Sequence, residues 1–315
     1  MVNRTMVRTR VIQTLFAYYK DGGKTPTTAR KELIRSYSDT YSLYFMLLDF
    51  ANELTAYAQS VIEENINRAR IQHLDFEPNR RFTQNRWAET VFQSDEVRNY
   101  MNNQKLAWDA GHNAIAAVYR QLTECQFYRD YMEAETTDFD ADKALWRKIY
   151  TELLADNEDI LAALEDLEIA MDTANWTTDM NVVLSYIVKT VKRTKEGEPL
   201  PILPMFDSEE ELKFGQDLLQ YALSSKTEAD ALINSHLKNW DADRVAYMDR
   251  IILQTAIAEI LYFPNIALEV SLNEYIEAAK EYSSDRSHIF INGVLNEILQ
   301  EKKRDGSLMK AVTIR

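Results

Sequence analysis

The chain has 315 residues, a formal net charge of −14, seven glycines, six prolines and a single cysteine. So few turn-forming residues, among many strong helix formers, argue against a sheet protein and predict an all-α fold. One cysteine cannot form an internal disulfide, the four histidines lack zinc-site spacing, and no stretch approaches the roughly 20 apolar residues of a membrane span. We therefore expect a cytoplasmic protein with no metal, no cofactor and no membrane contact.

The negative charge is concentrated in one part of the chain. Residues 130–230 contain 24 acidic and nine basic residues, whereas the first 35 residues contain eight basic and two acidic ones. A nucleic acid responds mainly to charge within about 10 Å, because salt screens more distant charge. The amino terminus is therefore a candidate basic arm for nucleic acid, and the alternative is that its charges only solvate a helix face.

The first two thirds of the chain read as a series of helices. The first is predicted at Arg4–Lys20 and ends at two glycines, the second starts near Thr27, and a long third runs over about 39–70. A loop over about 72–85 carries Arg80 and Arg81 and is followed by Arg86; we interpret these three arginines as solvated, with an auxiliary RNA patch as the alternative. Further helices are predicted at about 89–101, 111–132, 142–154, 157–174 and 179–195.

A proline-rich stretch at about 197–205 interrupts this series and favours an extended connector. Ser208 and Glu211 after it have the spacing of a helix capping box, as do Ser271 and Glu274 further on. The last three helices are predicted at about 241–263, from 271, and from Ser284 or Asp285. Gly293 lies inside the third of them at a cost of about 1 kcal/mol relative to alanine, so we expect another backbone to approach it closely.

The two ends of the chain carry a set of motifs that occur together. Near the carboxyl terminus these are DRIIL at 249–253, LNE at 272–274 and SHIFINGVL at 287–295, preceded by FGQDLLQYAL at 214–223. The first helix carries Arg4 and Arg8 and continues into QTLF at 13–16. In these motifs the chain resembles the NusB family of bacterial transcription antitermination factors.

The resemblance implies a fold of helical bundles and an uneven division of the chain. Residues 1–21 with 206–302 would form a NusB-like RNA-binding module, residues 22–205 a helical, partly acidic insertion or extension, and residues 303–315 a flexible tail. It also implies the function of the family: binding of boxA-type single-stranded RNA together with NusE, a small-subunit ribosomal protein, in the RNA polymerase antitermination complex that supports ribosomal RNA synthesis.

The residues expected to contact RNA follow from the same resemblance. Arginines would pair with phosphates, while aromatic and amide side chains would stack on or read unpaired bases. Each has a structural alternative: the arginines are solvated, the phenylalanines lie in the core, His288 caps its helix, and Asn292 bonds to a neighbouring helix. The predicted RNA-binding residues are Arg4, Arg8, Arg10, Phe16, Arg286, His288, Phe290 and Asn292.

An enzyme is the third class of function to weigh, since some ribosomal-RNA cytosine methyltransferases carry a NusB-like domain. Such enzymes need a glycine-rich cofactor loop and a nucleophilic cysteine, whereas this chain has no Gly-x-Gly and its Cys125 lies in a helical run. We therefore predict no catalytic residues. A helical protein-interaction scaffold and an accessory protein of ribosomal RNA processing remain as alternatives.

Overall fold

Every regular element of the described residues is a helix, which confirms the all-α prediction. The computed structural model describes residues 1–237 and 245–306. Within these ranges no helix has the length and apolar character needed to cross a membrane. The α-helices are α1 (Arg4–Lys20), α2 (Pro26–Ile71), α3 (Arg86–Phe92), α4 (Asp95–Gln104), α5 (His112–Glu124), α6 (Gln126–Glu133), α7 (Phe139–Lys148), α8 (Glu158–Met171), α9 (Trp176–Arg193), α10 (Glu209–Ser224), α11 (Lys226–Ser235), α12 (Tyr247–Tyr262), α13 (Leu268–Tyr282) and α14 (Ser287–Arg304).

The chain forms two compact units. Unit 1 comprises residue 1 with residues 38–205, and unit 2 comprises residues 2–37 with residues from 206 onward. The predicted start of the 241–263 helix and most of the predicted 303–315 tail lie outside the described residues, while α14 continues to Arg304. Division of the chain into a module over 1–21 and 206–302 with an insertion over 22–205 stays a prediction.

The long helix α2 corrects the prediction of two separate helices between 27 and 70. Serine and threonine side chains can compete with helical hydrogen bonds, and Ser36 and Thr40 lie where the two predicted helices would meet. Ser36 instead donates from its hydroxyl to the carbonyl of Leu33, 2.7 Å away in the preceding turn, and Thr40 donates to Asp179 at 2.6 Å. Since both hydroxyls are satisfied without breaking the backbone ladder, the helix continues through them.

Two other predicted helices are each divided in the structure. The segment 89–101 is split because Ser94 caps α4, accepting a hydrogen bond from the backbone N–H of Val97 at 3.4 Å. The segment 111–132 is split at Cys125, whose backbone is extended, with φ −70° and ψ 135°. The cysteine thiol donates to the carbonyl of Gln121, and burial raises its pKa, so it is protonated at neutral pH.

Unit 2 is built around α12. This helix contacts α1, α10, α11, α13 and α14, and its buried residues lie on all sides, as expected of a helix enclosed by others. Close packing in this unit depends on Gly215 of α10, because a Cβ there would collide with the hydroxyl of Tyr37 and with Val7.

Three details of the helix termini and of Gly293 differ from the sequence-based expectations. Ser208 stands at the N-cap of α10 and Arg286 at that of α14, but neither makes a side-chain cap hydrogen bond. Helix α13 begins at Leu268, so Ser271 lies inside it, where its hydroxyl is buried. Gly293 is exposed, and no atom of the described residues lies within 4 Å of a Cβ built there, so the expected close approach is absent.

Candidate nucleic-acid interface

Arg8 of α1 lies in the interior of unit 2, where it forms an ion pair with Glu259 of α12. Its Nε and Nη2 donate to the two carboxylate oxygens at 2.7 and 3.0 Å, and its Nη1 lies 3.4 Å from Glu274 of α13. Glu259 also accepts from the hydroxyls of Ser271 at 2.6 Å and Tyr275 at 2.9 Å. The buried carboxylate is therefore fully hydrogen-bonded, and it joins α1, α12 and α13.

This network fixes the charge state of its members. Burial lowers the pKa of the Arg8 guanidinium, but the hydrogen bonds and negative charge of Glu259 outweigh burial, so the pKa lies above its ordinary value. Burial and the charge of Glu259 raise the pKa of Tyr275 well above its ordinary value, so its hydroxyl stays a donor. Arg8 is committed to Glu259 and has no guanidinium edge left for a phosphate.

The other two arginines predicted on α1 differ in exposure. Arg10 is 2% exposed, and its Nη1 donates to Gln13 at 2.7 Å. Arg4 is exposed, and its guanidinium carbon lies 5.4 Å from the centre of the Phe214 ring. Of the three, Arg4 alone is placed for a phosphate to reach.

A cluster of two aromatic rings and an ammonium lies at the carboxyl end of α1. The rings of Phe16 and Tyr247 meet edge to face, with centres 5.7 Å apart, and the Nζ of Lys20 lies 5.5 and 5.2 Å from them. Phe16 is half-buried, Tyr247 is 42% exposed and Lys20 is exposed. We call these three residues the α1 cluster.

The sequence-based prediction contained one member of the α1 cluster and missed two. Lys20 lies one helical turn beyond Phe16, so the spacing i, i+4 could have identified it. Tyr247 comes from α12, more than two hundred residues further along the chain, and no local pattern connects it with Phe16.

The amino-terminal end of α14 is held beside the start of α12 by Asp249. Its carboxylate accepts hydrogen bonds from the hydroxyls of Ser283 at 2.5 Å and Ser287 at 3.0 Å. This contact fixes the start of α14, where the predicted residue Arg286 stands at the N-cap. Arg286 is exposed, so a phosphate can reach its guanidinium.

The remaining predicted residues of α14 are placed differently from one another. Phe290 is 6% exposed and lies in the core, which was the alternative to an RNA contact for this residue. His288 is half-buried, and its Nδ1 is enclosed without a hydrogen-bond partner among the described residues. Asn292 is exposed and its Oδ1 accepts from Asn296 at 2.8 Å, within the same helix.

Of the predicted RNA-binding residues, three are exposed (Arg4, Arg286 and Asn292), two are half-buried (Phe16 and His288) and three are buried (Arg8, Arg10 and Phe290). Arg4 lies at one end of α1, while Phe16 lies about 18 Å further along it, given a rise of 1.5 Å per residue. An exposed aromatic pair flanked by cations can stack an unpaired base and neutralise the phosphates on either side.

The three arginines of the 72–86 region belong to unit 1 and are largely engaged there. Arg86 donates to the buried carboxylate of Asp142 at 2.9 Å and to Glu196 at 2.8 Å. Arg81 donates to the carbonyl of Tyr131 at 2.8 Å. These contacts favour a structural role for both residues.

Comparison with known proteins identifies the family of the chain. A family model described as "NusB family" matches residues 203–300. A protein of Salinibacter ruber named "Transcription antitermination protein NusB" is 37% identical over 108 residues, which is 34% of this chain and 68% of that protein. The chain belongs to the NusB family.

Other NusB proteins match to a similar extent. The one from Bacillus pumilus is 39% identical over 98 residues, 31% of this chain and 75% of that protein, and the one from Bacillus licheniformis is 40% identical over 92 residues, 29% of this chain and 71% of that protein. No solved structure matches the chain. The matched NusB segment 203–300 contains α10 to α13 and most of α14, including Tyr247, Glu259 and Arg286.

Proposed function

We propose that this protein is a transcription antitermination factor that binds boxA-type single-stranded RNA together with NusE, as part of an RNA polymerase antitermination complex. The proposed activity is binding, with no catalysed reaction. The observation that carries it is the α1 cluster: in a chain of this family, two partly exposed aromatic rings and an ammonium meet at the carboxyl end of α1.

The chemistry of this surface suits single-stranded RNA. In the proposal Phe16 and Tyr247 stack on an unpaired base, and Lys20 and Arg286 neutralise neighbouring phosphates. Arg4 contacts a further phosphate along α1. Stacking on an aromatic side chain contributes about 1–3 kcal/mol per base, and each neutralised phosphate adds a salt-dependent part of the affinity.

The buried members of the predicted site have a supporting role in this proposal. Arg8 holds α1 against α12 through its ion pair with Glu259, and Phe290 of α14 packs into the core. They position the helices whose exposed residues bind RNA. We further propose that unit 2 is the NusB-like module, which extends the predicted 1–21 portion to residue 37.

The test is RNA binding measured by fluorescence anisotropy with the full-length chain. A labelled boxA-type RNA is compared with a scrambled RNA of the same composition, each with and without NusE. We expect tighter binding of the boxA-type RNA, a further gain with NusE, and a loss of about 1–3 kcal/mol in Phe16→Ala. Phe16→Tyr keeps an aromatic ring and is the matched control.

Two outcomes would contradict the proposal. Equal affinity for the boxA-type and scrambled RNAs would show that the surface does not recognise that element. Unchanged affinity in Phe16→Ala, with an unchanged circular dichroism spectrum, would show that the α1 cluster is not the base-binding site.

A further inference from the structure

Unit 1 contains a large cleft that RNA binding does not explain. Its volume is about 1220 Å³, somewhat above the usual range for ligand pockets. It is bounded by α2, α3, α4 and the short turn at Asp109–Gly111, and all of its lining residues lie between Asp49 and His112. The cleft therefore belongs wholly to the part of the chain that lies outside the family match.

The cleft has an apolar side. Trp108 is 3% exposed, and since its indole N–H donates to the carbonyl of Met46 at 3.1 Å, the donor is satisfied and the ring remains as an apolar surface. Val97 and Met101 of α4 line the cleft beside it. Phe92 also lines it and is 69% exposed, so it gives the cleft an apolar edge that an occupant can reach.

Carboxyl groups outnumber basic groups in the cleft, since its lining contains four acidic residues, one arginine and one histidine. Asp49 and Glu53 lie one turn apart on the same face of α2, with Asp109 nearby. Burial raises the pKa of both α2 carboxyl groups. For Asp49 a hydrogen bond from Asn52 opposes this effect, and for Glu53 the charge of Asp49 adds to it while His112 opposes it. The side-chain oxygens of Asn52 and Thr55 are buried with no hydrogen-bond partner in the part of the chain that the structure describes.

The one arginine in the lining is already engaged. Arg98 donates to Asp95 at 3.0 Å and toward the carbonyl of Phe92, so it does not neutralise the α2 carboxylates. An occupant that complements this cleft must bring positive charge, N–H donors and an apolar stem. A nucleic acid brings negative charge in its phosphates and would be repelled.

We propose that the cleft binds a basic peptide segment of a partner protein. A lysine or arginine side chain of the segment places its cationic head between Asp49 and Glu53, and its alkyl stem lies against Trp108. The peptide backbone and neighbouring apolar side chains cover Phe92. A peptide is favoured over a free amine because the cleft is far larger than one cationic side chain and has an apolar rim.

The test uses the full-length chain and a short fluorescein-labelled peptide of lysines, leucines and glycines. A control peptide carries acetylated lysines, which keep the alkyl stem and lose the charge. We expect the basic peptide to bind and the acetylated one to bind at least tenfold more weakly. In Glu53→Gln the affinity for the basic peptide should fall about five- to tenfold, as for loss of one partly buried ion pair.

Glu64→Gln is the matched control, because Glu64 is an exposed carboxylate of the same helix outside the cleft. It lies about 16 Å along α2 from Glu53, beyond the screening length. Equal losses in Glu53→Gln and Glu64→Gln, or equal binding of both peptides, would overturn the proposal. Displacement of the peptide by an equal concentration of spermidine would overturn it in favour of a free polyamine. RNA affinity should be unchanged in Glu53→Gln, so this test is independent of the proposed function.

Discussion

The ion pair between Arg8 and Glu259 provides the sharpest test of how unit 2 is held together. Replacing Arg8 by methionine keeps the length of the side chain but removes the two hydrogen bonds at 2.7 and 3.0 Å. The Glu259 carboxylate, which is 0% exposed, would keep two neutral donors, Ser271 and Tyr275. Removing one partner of a buried ion pair costs about 3–5 kcal/mol, a large part of the stability of a typical domain.

The assay should report on unit 2 alone. Four of the five tryptophans, at 87, 108, 146 and 176, lie in unit 1, so tryptophan fluorescence is a poor probe of this change. Native-state hydrogen exchange read by mass spectrometry on peptides from α12 follows the local free energy of opening. We expect Arg8→Met to lower that free energy by about 3 kcal/mol or more.

The matched control is Arg4→Met, one turn earlier in α1 and above the same Phe214 ring. Because Arg4 is exposed, its replacement should cost no more than about 0.5 kcal/mol. Similar small effects of the two substitutions would refute the structural role assigned to Arg8. A second check is Arg8→Met combined with Glu259→Leu, which removes the unpaired charge and should recover part of the loss.

Two further predictions concern stability. Gly293→Ala should raise the free energy of unfolding by about 0.5–1 kcal/mol, since the added methyl meets no neighbouring atom. Gly215→Ala should lower the free energy of unfolding, because the added methyl collides with Tyr37 and Val7. Urea titration measures both effects, and effects of the same sign would contradict the packing described. Asp49→Asn should stabilise the protein more at pH 7 than at about pH 4. The folded-state pKa of Asp49 is raised by burial, so its contribution to stability is present below about pH 4 and is lost as the pH rises through that raised pKa. Urea titrations of both proteins at the two pH values test this, and a gain that does not depend on pH would contradict it.

Local signals in the sequence predicted α1 well and failed within α2. Helix α1 begins after Asn3, whose side chain accepts from the N–H of Met6 at 2.9 Å, and ends at Asp21 before the glycine pair. Such caps involve neighbouring residues, so they can be read from the sequence. The continuity of α2 could not be read in this way, because whether a hydroxyl ends a helix or bonds back to it depends on what surrounds it.

In the candidate site, too, patterns between neighbouring residues could be predicted from the sequence, whereas contacts between distant residues could not. The family motifs point to α1 and α14, and burial separates their exposed residues from those that an RNA could not reach. Arg8 is buried because Glu259, 251 residues away, is positioned to receive it, and no property of the first helix indicates that partner. Lys20 could have been identified from its helical spacing to Phe16, whereas the contact of Tyr247 with Phe16 could be found only in the folded structure.

The acidic cleft of unit 1 could not be predicted from the sequence for a similar reason. The spacing of Asp49 and Glu53 is visible in the sequence, but such pairs are common on solvated helix faces. Only the packing of Trp108 and Phe92 around them turns the pair into part of a cleft.

The most direct test of the proposed RNA-binding surface is the salt dependence of affinity for a boxA-type RNA. If Lys20 and Arg286 each neutralise one phosphate, replacing both by alanine should reduce the slope of log affinity against log salt by about 1.4, at about 0.7 per phosphate. Lys303→Ala, an exposed lysine about 25 Å along α14 from Arg286, should leave the slope unchanged. We expect a smaller slope for the double variant alone, and equal slopes for the double variant and the parent protein would contradict phosphate contacts by Lys20 and Arg286.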